Sequence, residues 1–198
     1  MYGIEPKTLG RYVLKASEFQ YVMYMPIKFP YSAINVPDNL LWTKPLIDRS
    51  INDFGYCEDY FIYLTSKNFF VEGFSGNRGG WHSDGFLSDD INYIWSNRCP
   101  TEFCIQDFYL TACHNRSLIE MEQQAKAENI KTYGENELVR LTQFNIHRVP
   151  FCEAGTRSFV KISFSKDKYA LNGNAKNPLF NYSWEMKERK KERNDPAK

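Results

Sequence analysis

Hydrophobic and polar residues alternate along several stretches of the chain, and this period of two predicts β-strands. In the segment 157–164 one face of the predicted strand is apolar, and Arg157 lies on the opposite face. The same period runs through 139–147 and ends at His147. Because only a short loop at 150–156 follows, we expect the two segments to be antiparallel neighbours.

Other stretches carry weaker signals. We expect strands at 21–25, 59–65 and 104–112, a helix before the strand within 8–24, a capped helix over 117–128, and irregular structure through most of the proline-rich segment 26–50. Phe, Trp and Tyr make up 16% of the residues, as a β-sandwich or jelly roll favours. The pattern therefore indicates a mainly β fold with a few supporting helices.

The composition fits one enzyme-sized domain, because 198 residues can bury a full core and no linker-like stretch divides them. We expect a single domain over 1–198, with a core at about 59–165, a supporting segment at 1–58 and a C-terminal extension with a basic tail at 166–198. A net charge of +1 gives no global field that would recruit nucleic acid or an anionic membrane. The chain has no run of about 18 apolar residues, and we expect a cytoplasmic protein.

The cysteine pattern argues against a disulfide framework. Five cysteines are present, and an odd count without paired Cys-X-X-Cys spacing indicates reduced thiols. A structural zinc site would need Cys99 and Cys104 together with Cys113 or His114, but no second closely spaced pair supports it.

Two histidines and an aspartate are the strongest candidates for chemistry. His82 and Asp84 are two residues apart, and such residues point to the same side of an extended strand. His147 would come from another strand. Two imidazoles and one carboxylate form the facial triad that leaves three positions open on Fe(II). In the alternative to a metal site, His82 is a turn residue and His147 is a hydrogen-bonded core imidazole. The third histidine, His114, is predicted to be a surface loop residue and not a ligand.

These residues resemble the iron(II)/2-oxoglutarate-dependent dioxygenase superfamily. The resemblance lies in the stretches 78–86, 147–150 and 156–159, and it spans about residues 59–165. It implies a double-stranded β-helix (jelly roll) in which His82, Asp84 and His147 bind iron. It further implies that 2-oxoglutarate chelates the iron and that Arg157 binds its distal carboxylate.

The sequence departs from relatives at positions that narrow the branch of the superfamily and the type of reaction that we expect. Many relatives have Arg-X-Ser on the last core strand, whereas Phe159 occupies the third position here. An arginine anchor at position 157 argues against the animal-type prolyl hydroxylases, which usually use lysine. Halogenases leave a coordination position open for halide, and the presence of Asp84 argues against that activity.

The resemblance implies a hydroxylase that consumes 2-oxoglutarate and O2 and releases succinate and CO2. We expect Thr101 to contact 2-oxoglutarate, and Tyr93, Trp95 and Arg98 to face the substrate, although ordinary aromatic packing explains Tyr93 and Trp95 equally well. A small metabolite or amino acid is the first expectation for the substrate, since the chain has no accessory recognition domain. A peptidyl side chain comes second, and a nucleobase comes third, favoured only by the basic tail and the aromatic residues.

Two further alternatives stay open from the sequence. In the first, the chain is a jelly-roll binding module whose metal motif is coincidental, and it takes up no iron. In the second, it is a zinc or manganese cupin-like isomerase or lyase, which would leave Arg157 without a co-substrate. The sequence leaves the oligomeric state open.

Overall fold

The computed structural model of the protein describes residues 1–73 and 79–189, which form mainly antiparallel β-structure with few helices. The strands are β1 (Lys7–Arg11), β2 (Gln20–Lys28), β3 (Phe61–Val71), β4 (Ile91–Ser96), β5 (Glu102–Cys104), β6 (Ile130–Thr132), β7 (Glu137–Leu141), β8 (His147–Arg148) and β9 (Gly155–Ser165). The α-helices are α1 (Lys44–Phe54) and α2 (His114–Gln124), and 3-10 turns cover Asp38–Thr43 and Ala127–Asn129. No helix in the described ranges has both the length and the apolar composition needed to cross a bilayer.

The strands form two sheets between which the chain winds. The larger sheet has the order β1-β7-β4-β9-β3-β2, and the smaller sheet has the order β6-β5-β8. An isolated antiparallel bridge between His82 and His147 extends the smaller sheet beyond β8. From β3 onward the chain therefore passes from the larger sheet to the smaller one and back repeatedly. This winding is the double-stranded β-helix, so the prediction of a mainly β jelly-roll fold is confirmed.

The alternation of side chains across each strand produces three hydrophobic clusters. The interior cluster, between the sheets, contains Ile94, Phe103, Val139, Leu141 and Phe159. A second cluster covers the outer face of the larger sheet, where Leu46 and Ile47 of α1 pack against alternate residues of β3 and β9. A third cluster joins Met121 of α2 to the outer face of the smaller sheet. Strand β9 is buried along nearly its whole length because side chains cover both of its faces.

The N-terminal third differs from the sequence-based expectation. The helix predicted within 8–24 is wrong, since β1 pairs with β7 and β2 pairs with β3 there. The segment expected to be irregular contains α1, and Pro45 lies in the first turn of that helix. A proline in the first turn removes an N–H that has no partner within the helix, so it starts the helix rather than breaking it.

Two later predictions were correct in position but not in extent. The strand expected over 139–147 is interrupted, because β7 ends at Leu141 and a turn carries the chain to β8 in the other sheet. Its expected pairing with the strand at 157–164 is wrong, because β4 lies between β7 and β9. The strand expected over 104–112 is limited to β5, which ends at Cys104. A helix is present where one was expected over 117–128, but α2 begins at His114 and ends at Gln124, so Ser117 lies within the helix and does not cap it.

Candidate metal centre

His82, Asp84 and His147 meet in one place. One ligand atom from each residue lies within 4.8 Å of the ligand atoms of the other two. Nε2 of His147 is 3.7 Å from Oδ2 of Asp84, and the two imidazole centroids are 4.5 Å apart. Both histidines are buried, while Asp84 is partly exposed. The structure thus brings together the three residues that the sequence singled out as metal ligands.

The backbone pairing of the two histidines explains why their rings converge. The His82 N–H donates to the His147 carbonyl at 2.9 Å, and the His147 N–H donates to the His82 carbonyl at 2.8 Å. Residues that exchange both main-chain hydrogen bonds lie directly opposite each other, and their side chains point to the same face. The strand expected around His82 is reduced to this bridge, and Asp84 lies in the turn that follows.

Each imidazole is held by a carbonyl two residues earlier in the chain. Nδ1 of His82 lies 2.9 Å from the Gly80 oxygen, and Nδ1 of His147 lies 3.0 Å from the Asn145 oxygen. Because a carbonyl only accepts, Nδ1 carries the proton in both rings, and Nε2 presents its lone pair to a metal. Gly80 has a φ of +75°, in the left-handed region that favours glycine.

Asn145 supports the turn that precedes His147. Its Oδ1 accepts from the Thr142 N–H at 2.7 Å, and its Nδ2 donates to the Ile4 carbonyl at 2.9 Å. The side chain is buried at the junction between this turn and the N-terminal segment. Sequence reasoning missed this role, because the contact joins residues that are 141 positions apart.

Lys161 is a charged neighbour of the three ligands that sequence reasoning also missed. Its Nζ is 2.8 Å from Oδ2 of Asp84 and 2.9 Å from the Tyr24 hydroxyl. Burial favours a raised pKa for Asp84, but Lys161 and the two imidazoles hold the pKa of this carboxyl well below its usual range. Burial lowers the pKa of Lys161, but Asp84 and Tyr24 outweigh it and leave that pKa raised. The one available signal was spacing, since Lys161 shares a face of β9 with Arg157.

Tyr24 reaches Lys161 from an irregular position in β2. The pairing of β2 with β3 shifts register between Val22 and Met25, and Tyr24 has a φ of 44°. Its N–H donates to Oγ1 of Thr65 at 3.0 Å. The bulge therefore turns the tyrosine toward the interior of the jelly roll.

Arg157, predicted to anchor a carboxylate, is 2% exposed on the interior face of β9. Its Nε donates to the Arg98 carbonyl at 3.2 Å, one terminal nitrogen donates to the Cys99 carbonyl at 3.4 Å, and its Cζ lies 5.1 Å from the Phe159 ring centroid. Burial lowers the pKa of Arg157, whereas the Cys152 and Cys99 thiols favour a raised value. Across residues 1–73 and 79–189, no carboxylate forms an ion pair with this guanidinium.

The structure places two of the three predicted substrate residues, Tyr93 and Trp95, on the outer face of the larger sheet. Tyr93 and Trp95 are 0% and 1% exposed in the outer cluster, because alternate residues of β4 point away from the interior. The Tyr93 hydroxyl donates to Asp53, and Nε1 of Trp95 donates to the Tyr12 carbonyl. Tyr93 and Trp95 are therefore core residues and not neighbours of the metal ligands.

Arg98 and Thr101 lie near Arg157 and the interior. The Arg98 guanidinium donates to the carbonyls of Ala154 and Glu153, each at 3.1 Å, so it fastens the loop before β9. Thr101 is buried and borders a small cavity with Ile94 and Phe103, between the sheets. Its contact with 2-oxoglutarate stays a prediction. Arg78, which begins one of the stretches that resemble the dioxygenases, falls outside the described residues, as does the end of the basic tail at 190–198.

The donor set fits a divalent transition metal. Imidazole nitrogen and carboxylate oxygen suit Fe(II), Mn(II) and Zn(II), and three ligands on one side leave the other side for further ligands. Both imidazoles have the hydrogen-bonded Nδ1 that metal-binding histidines usually show. The arrangement can therefore hold such an ion without a change of tautomer in either ring.

Comparisons with known proteins give distant likenesses. No protein-family model and no curated protein matches the sequence. The chain is similar to EvdO2 from Micromonospora carbonacea var. aurantiaca, with a TM-score of 0.41 and 12% identity. The likeness covers 66% of this chain and 66% of EvdO2, so the chain spans just under two thirds of the length of EvdO2. It is also similar to an oxidoreductase of the 2OG-Fe(II) oxygenase family from Burkholderia pseudomallei, with a TM-score of 0.40 and 14% identity over 82% of this chain and 73% of that chain. The strand order of this chain is itself that of a jelly roll.

Proposed function

We propose that this chain is an Fe(II)- and 2-oxoglutarate-dependent oxygenase that hydroxylates a C–H bond of a small metabolite or amino acid. The observation that carries the proposal is the convergence of His82, Asp84 and His147, whose ligand atoms lie within 4.8 Å of one another. This set has the composition of the facial triad of non-haem iron oxygenases. It lies in a jelly roll, with a buried arginine on the strand after the second histidine.

Each of the three residues would supply one ligand atom to the metal. His82 and His147 would hold the metal through Nε2, and Asp84 would hold it through a carboxylate oxygen. Bound iron, with 2-oxoglutarate and dioxygen, supplies the oxidising chemistry that yields succinate, CO2 and a hydroxylated product. The protein's own part is to fix the ligands, hold the co-substrate and keep stray water away.

The burial of Arg157 favours a co-substrate that carries a carboxylate. A buried cation is costly unless an anion pairs with it, and the two hydrogen bonds of Arg157 to carbonyls supply no formal negative charge. The planar guanidinium can bind a carboxylate through two parallel hydrogen bonds. We therefore assign the distal carboxylate of 2-oxoglutarate to Arg157.

Aromatic residues would shield the reaction from water. The Phe103 ring lies 5.9 Å from the His147 ring, and Phe159 lies beside Arg157. Both belong to the interior cluster. A dry surrounding strengthens the electrostatic interactions of the metal ligands and of the guanidinium.

The proposal is tested by anaerobic addition of Fe(II) and 2-oxoglutarate to the purified protein. We expect a weak visible charge-transfer band, because 2-oxoglutarate would chelate the iron. His82→Ala and Asp84→Ala should abolish the band, and His114→Ala should keep it as a matched control, since His114 is exposed on α2.

Arg157→Met should weaken 2-oxoglutarate binding by about ten- to hundredfold, because it removes a charge-assisted pair worth about 1.5–3 kcal/mol. Arg157→Lys keeps the charge but lacks the planar guanidinium, so the loss of 2-oxoglutarate affinity should be smaller than in Arg157→Met.

Other outcomes would favour the alternatives. A wild-type protein that binds neither Fe(II) nor 2-oxoglutarate would support a non-catalytic jelly-roll module. A protein that binds Zn(II) or Mn(II) but no 2-oxoglutarate would support a cupin-like enzyme.

Succinate release distinguishes the substrate classes. Amino acids and small carboxylic metabolites form the first panel, because they match the first expectation. A peptide panel and single-stranded DNA test the peptidyl and nucleobase alternatives. Binding to DNA that falls steeply between two salt concentrations would favour the nucleobase alternative.

A further inference from the structure

Two cysteines lie beside Arg157, in two loops that a hydrogen bond of Arg98 joins. Cys99 belongs to the loop after β4, and Cys152 belongs to the loop before β9. The Arg98 guanidinium donates to the Glu153 carbonyl at 3.1 Å. Since Arg98 precedes Cys99 and Glu153 follows Cys152 in the chain, this hydrogen bond brings the two cysteines close together.

The side chains of the two cysteines are in direct contact. The Cys152 thiol is hydrogen-bonded to the Cys99 side chain, and both sulfurs lie near the Arg157 guanidinium. Cys99 is partly exposed, whereas Cys152 is 0% exposed. Within the described part of the chain, no third residue joins the pair to form a second metal centre. The contact therefore suits a reaction between the two sulfurs better than it suits metal binding.

Arg157 depends on the same loop as Cys99. Its Nε donates to the Arg98 carbonyl at 3.2 Å, and one terminal nitrogen donates to the Cys99 carbonyl at 3.4 Å. Cys99 has a φ of 51°, in the left-handed region that residues other than glycine rarely adopt. The direction of these carbonyls thus depends on an unusual backbone conformation. A displacement of the Cys99 sulfur would move the groups that hold the Arg157 guanidinium.

We infer that Cys99 and Cys152 form a reversible disulfide in the presence of a small-molecule disulfide such as glutathione disulfide, and that this bond weakens anion binding at Arg157. A disulfide holds its sulfurs about 2 Å apart, closer than a hydrogen bond between thiols does, so at least one loop must move. Disulfide formation is independent of the proposed function. The effect at Arg157 rests on the proposed function, because 2-oxoglutarate is the anion assigned to that residue.

The disulfide forms by two thiol–disulfide exchanges. The thiolate of Cys99, the exposed partner, attacks one sulfur of glutathione disulfide, which gives a mixed disulfide and releases one glutathione thiolate. The Cys152 sulfur then attacks Sγ of Cys99 and releases the second glutathione. The two protein thiols are oxidised, and glutathione disulfide is reduced to two glutathione thiols, which take up the two protons.

The charges around Cys152 favour this order of attack. Burial raises the pKa of the Cys152 thiol to about 12, and the hydrogen bond and charge of Cys99 contribute to the increase, whereas Arg157 and Arg98 oppose it. A Cys99 sulfur in a mixed disulfide is uncharged, so it no longer opposes ionisation of Cys152. The two arginines continue to favour the thiolate, which is the attacking species in the second exchange.

Peptide mapping tests whether the bond forms. The full-length protein is treated with glutathione disulfide, its remaining thiols are alkylated in denaturant, and the digest is analysed by mass spectrometry. We expect a peptide pair in which Cys99 is joined to Cys152, and the loss of that pair after treatment with a reducing dithiol. The absence of this link, or a link from Cys99 to Cys57, Cys104 or Cys113 instead, would overturn the inference.

Single substitutions test the order of attack. Cys152→Ser should accumulate glutathione on Cys99, because no second thiol is present to release it. Cys99→Ser should leave Cys152 unmodified, because Cys152 is buried. Cys113→Ser makes the same chemical change at an exposed position and should form the disulfide as wild type does. Glutathione on Cys152 in the Cys99→Ser variant would contradict the assigned roles.

The affinity for 2-oxoglutarate tests the effect at Arg157. The protein is loaded with Mn(II), which replaces iron without turnover, and 2-oxoglutarate is titrated by calorimetry before and after oxidation. We expect oxidation to weaken 2-oxoglutarate binding by about tenfold or more, since a misplacement of about 1 Å can lower the function of a site about a hundredfold. The Cys99→Ser variant should show no such loss.

The outcomes separate the disulfide from the proposed function. If the bond forms and the affinity for 2-oxoglutarate does not change, control of Arg157 by the disulfide is excluded and the oxygenase proposal stands. If the reduced wild-type protein binds no 2-oxoglutarate, the oxygenase proposal is overturned together with the effect at Arg157. Peptide mapping still decides in that case whether Cys99 and Cys152 form the bond.

Discussion

Single residues outside the ligand set determine how the metal ligands are presented. The carbonyls of Gly80 and Asn145 fix the imidazole tautomers, and Lys161 sets the charge next to Asp84. None of these contacts follows from a motif, because each depends on where a backbone turn or a neighbouring strand lies.

Asn145→Ala should weaken binding of Mn(II) by about tenfold, since groups that orient metal ligands typically contribute tenfold to a hundredfold to metal affinity. The substitution removes the three side-chain hydrogen bonds of Asn145, which join it to the Thr142 N–H, the Thr142 hydroxyl and the Ile4 carbonyl. Calorimetric titration with Mn(II) measures the effect. Asn39→Ala, at an exposed position, is the control, and equal affinities in the two variants would contradict the positioning role.

Lys161→Met should have the opposite effect on metal affinity. Its ammonium lies 2.8 Å from a ligand carboxylate and repels a dication that binds there. We expect Mn(II) to bind about tenfold more tightly to this variant, and the metal-free protein to be less stable because Asp84 loses its partner. Metal titration and urea unfolding measure the two effects, and a loss of metal affinity would refute this account.

At the scale of elements, helix α1 is fastened to the larger sheet by a buried carboxylate. The Asp53 side chain is 3% exposed and contacts Lys7 of β1, Arg140 of β7 and the Tyr93 hydroxyl of β4. Burial favours a raised pKa, but the hydrogen bonds of Lys7 and Tyr93 and the charges of Lys7 and Arg140 hold the pKa of Asp53 below its usual value. One side chain therefore links four elements.

Asp53→Ala should lower the free energy of unfolding by about 2–3 kcal/mol at pH 7, because it also leaves the buried Tyr93 hydroxyl without its acceptor. The folded protein holds the Asp53 proton more weakly than the unfolded chain does, so this stabilisation is complete above about pH 4 and is lost as the pH falls further. Urea unfolding of both proteins at pH 7 and pH 3 should show the difference shrinking in acid. A difference that does not change with pH would contradict this assignment.

The sequence allowed strand β9 and the three metal ligands to be predicted, because a period of two and a short motif are local signals. It did not allow the neighbours of β9 to be predicted, since β9 pairs with β3 and β4 and not with the segment 139–147. It did not allow α1 to be predicted, since a proline that interrupts most helices is harmless in the first turn. The break between β7 and β8 was missed for a related reason. The alternation continues through the turn at 142–146, and only the sheet pairing shows that His147 belongs to the other sheet.

At the scale of the whole molecule, the segment 169–184 after the last strand packs against the core. Trp184 lies near Phe29, Phe61 and Tyr182, with ring centroids between 4.9 and 6.0 Å apart. Tyr169 stacks on Tyr63 at 4.3 Å. These contacts fasten the segment to the larger sheet at β2 and β3.

Trp184→Ala should lower the free energy of unfolding by about 1–3 kcal/mol, because it removes three aromatic contacts from a partly buried position. The affinities for Mn(II) and 2-oxoglutarate should be unchanged, since Trp184 contacts none of the ligand residues. Urea unfolding and metal titration test the two parts. A large loss of metal affinity would mean that this segment supports the centre directly.

The mutual pairing of His82 and His147 makes metal uptake a test of correct strand alignment. A shift of one position between the two paired segments would turn one imidazole to the outer surface and would change only this single bridge, while the two sheets keep their pairing. Circular dichroism would record such a misaligned form as folded. The amount of tightly bound divalent ion would instead measure the fraction of molecules in which His82 and His147 are correctly paired.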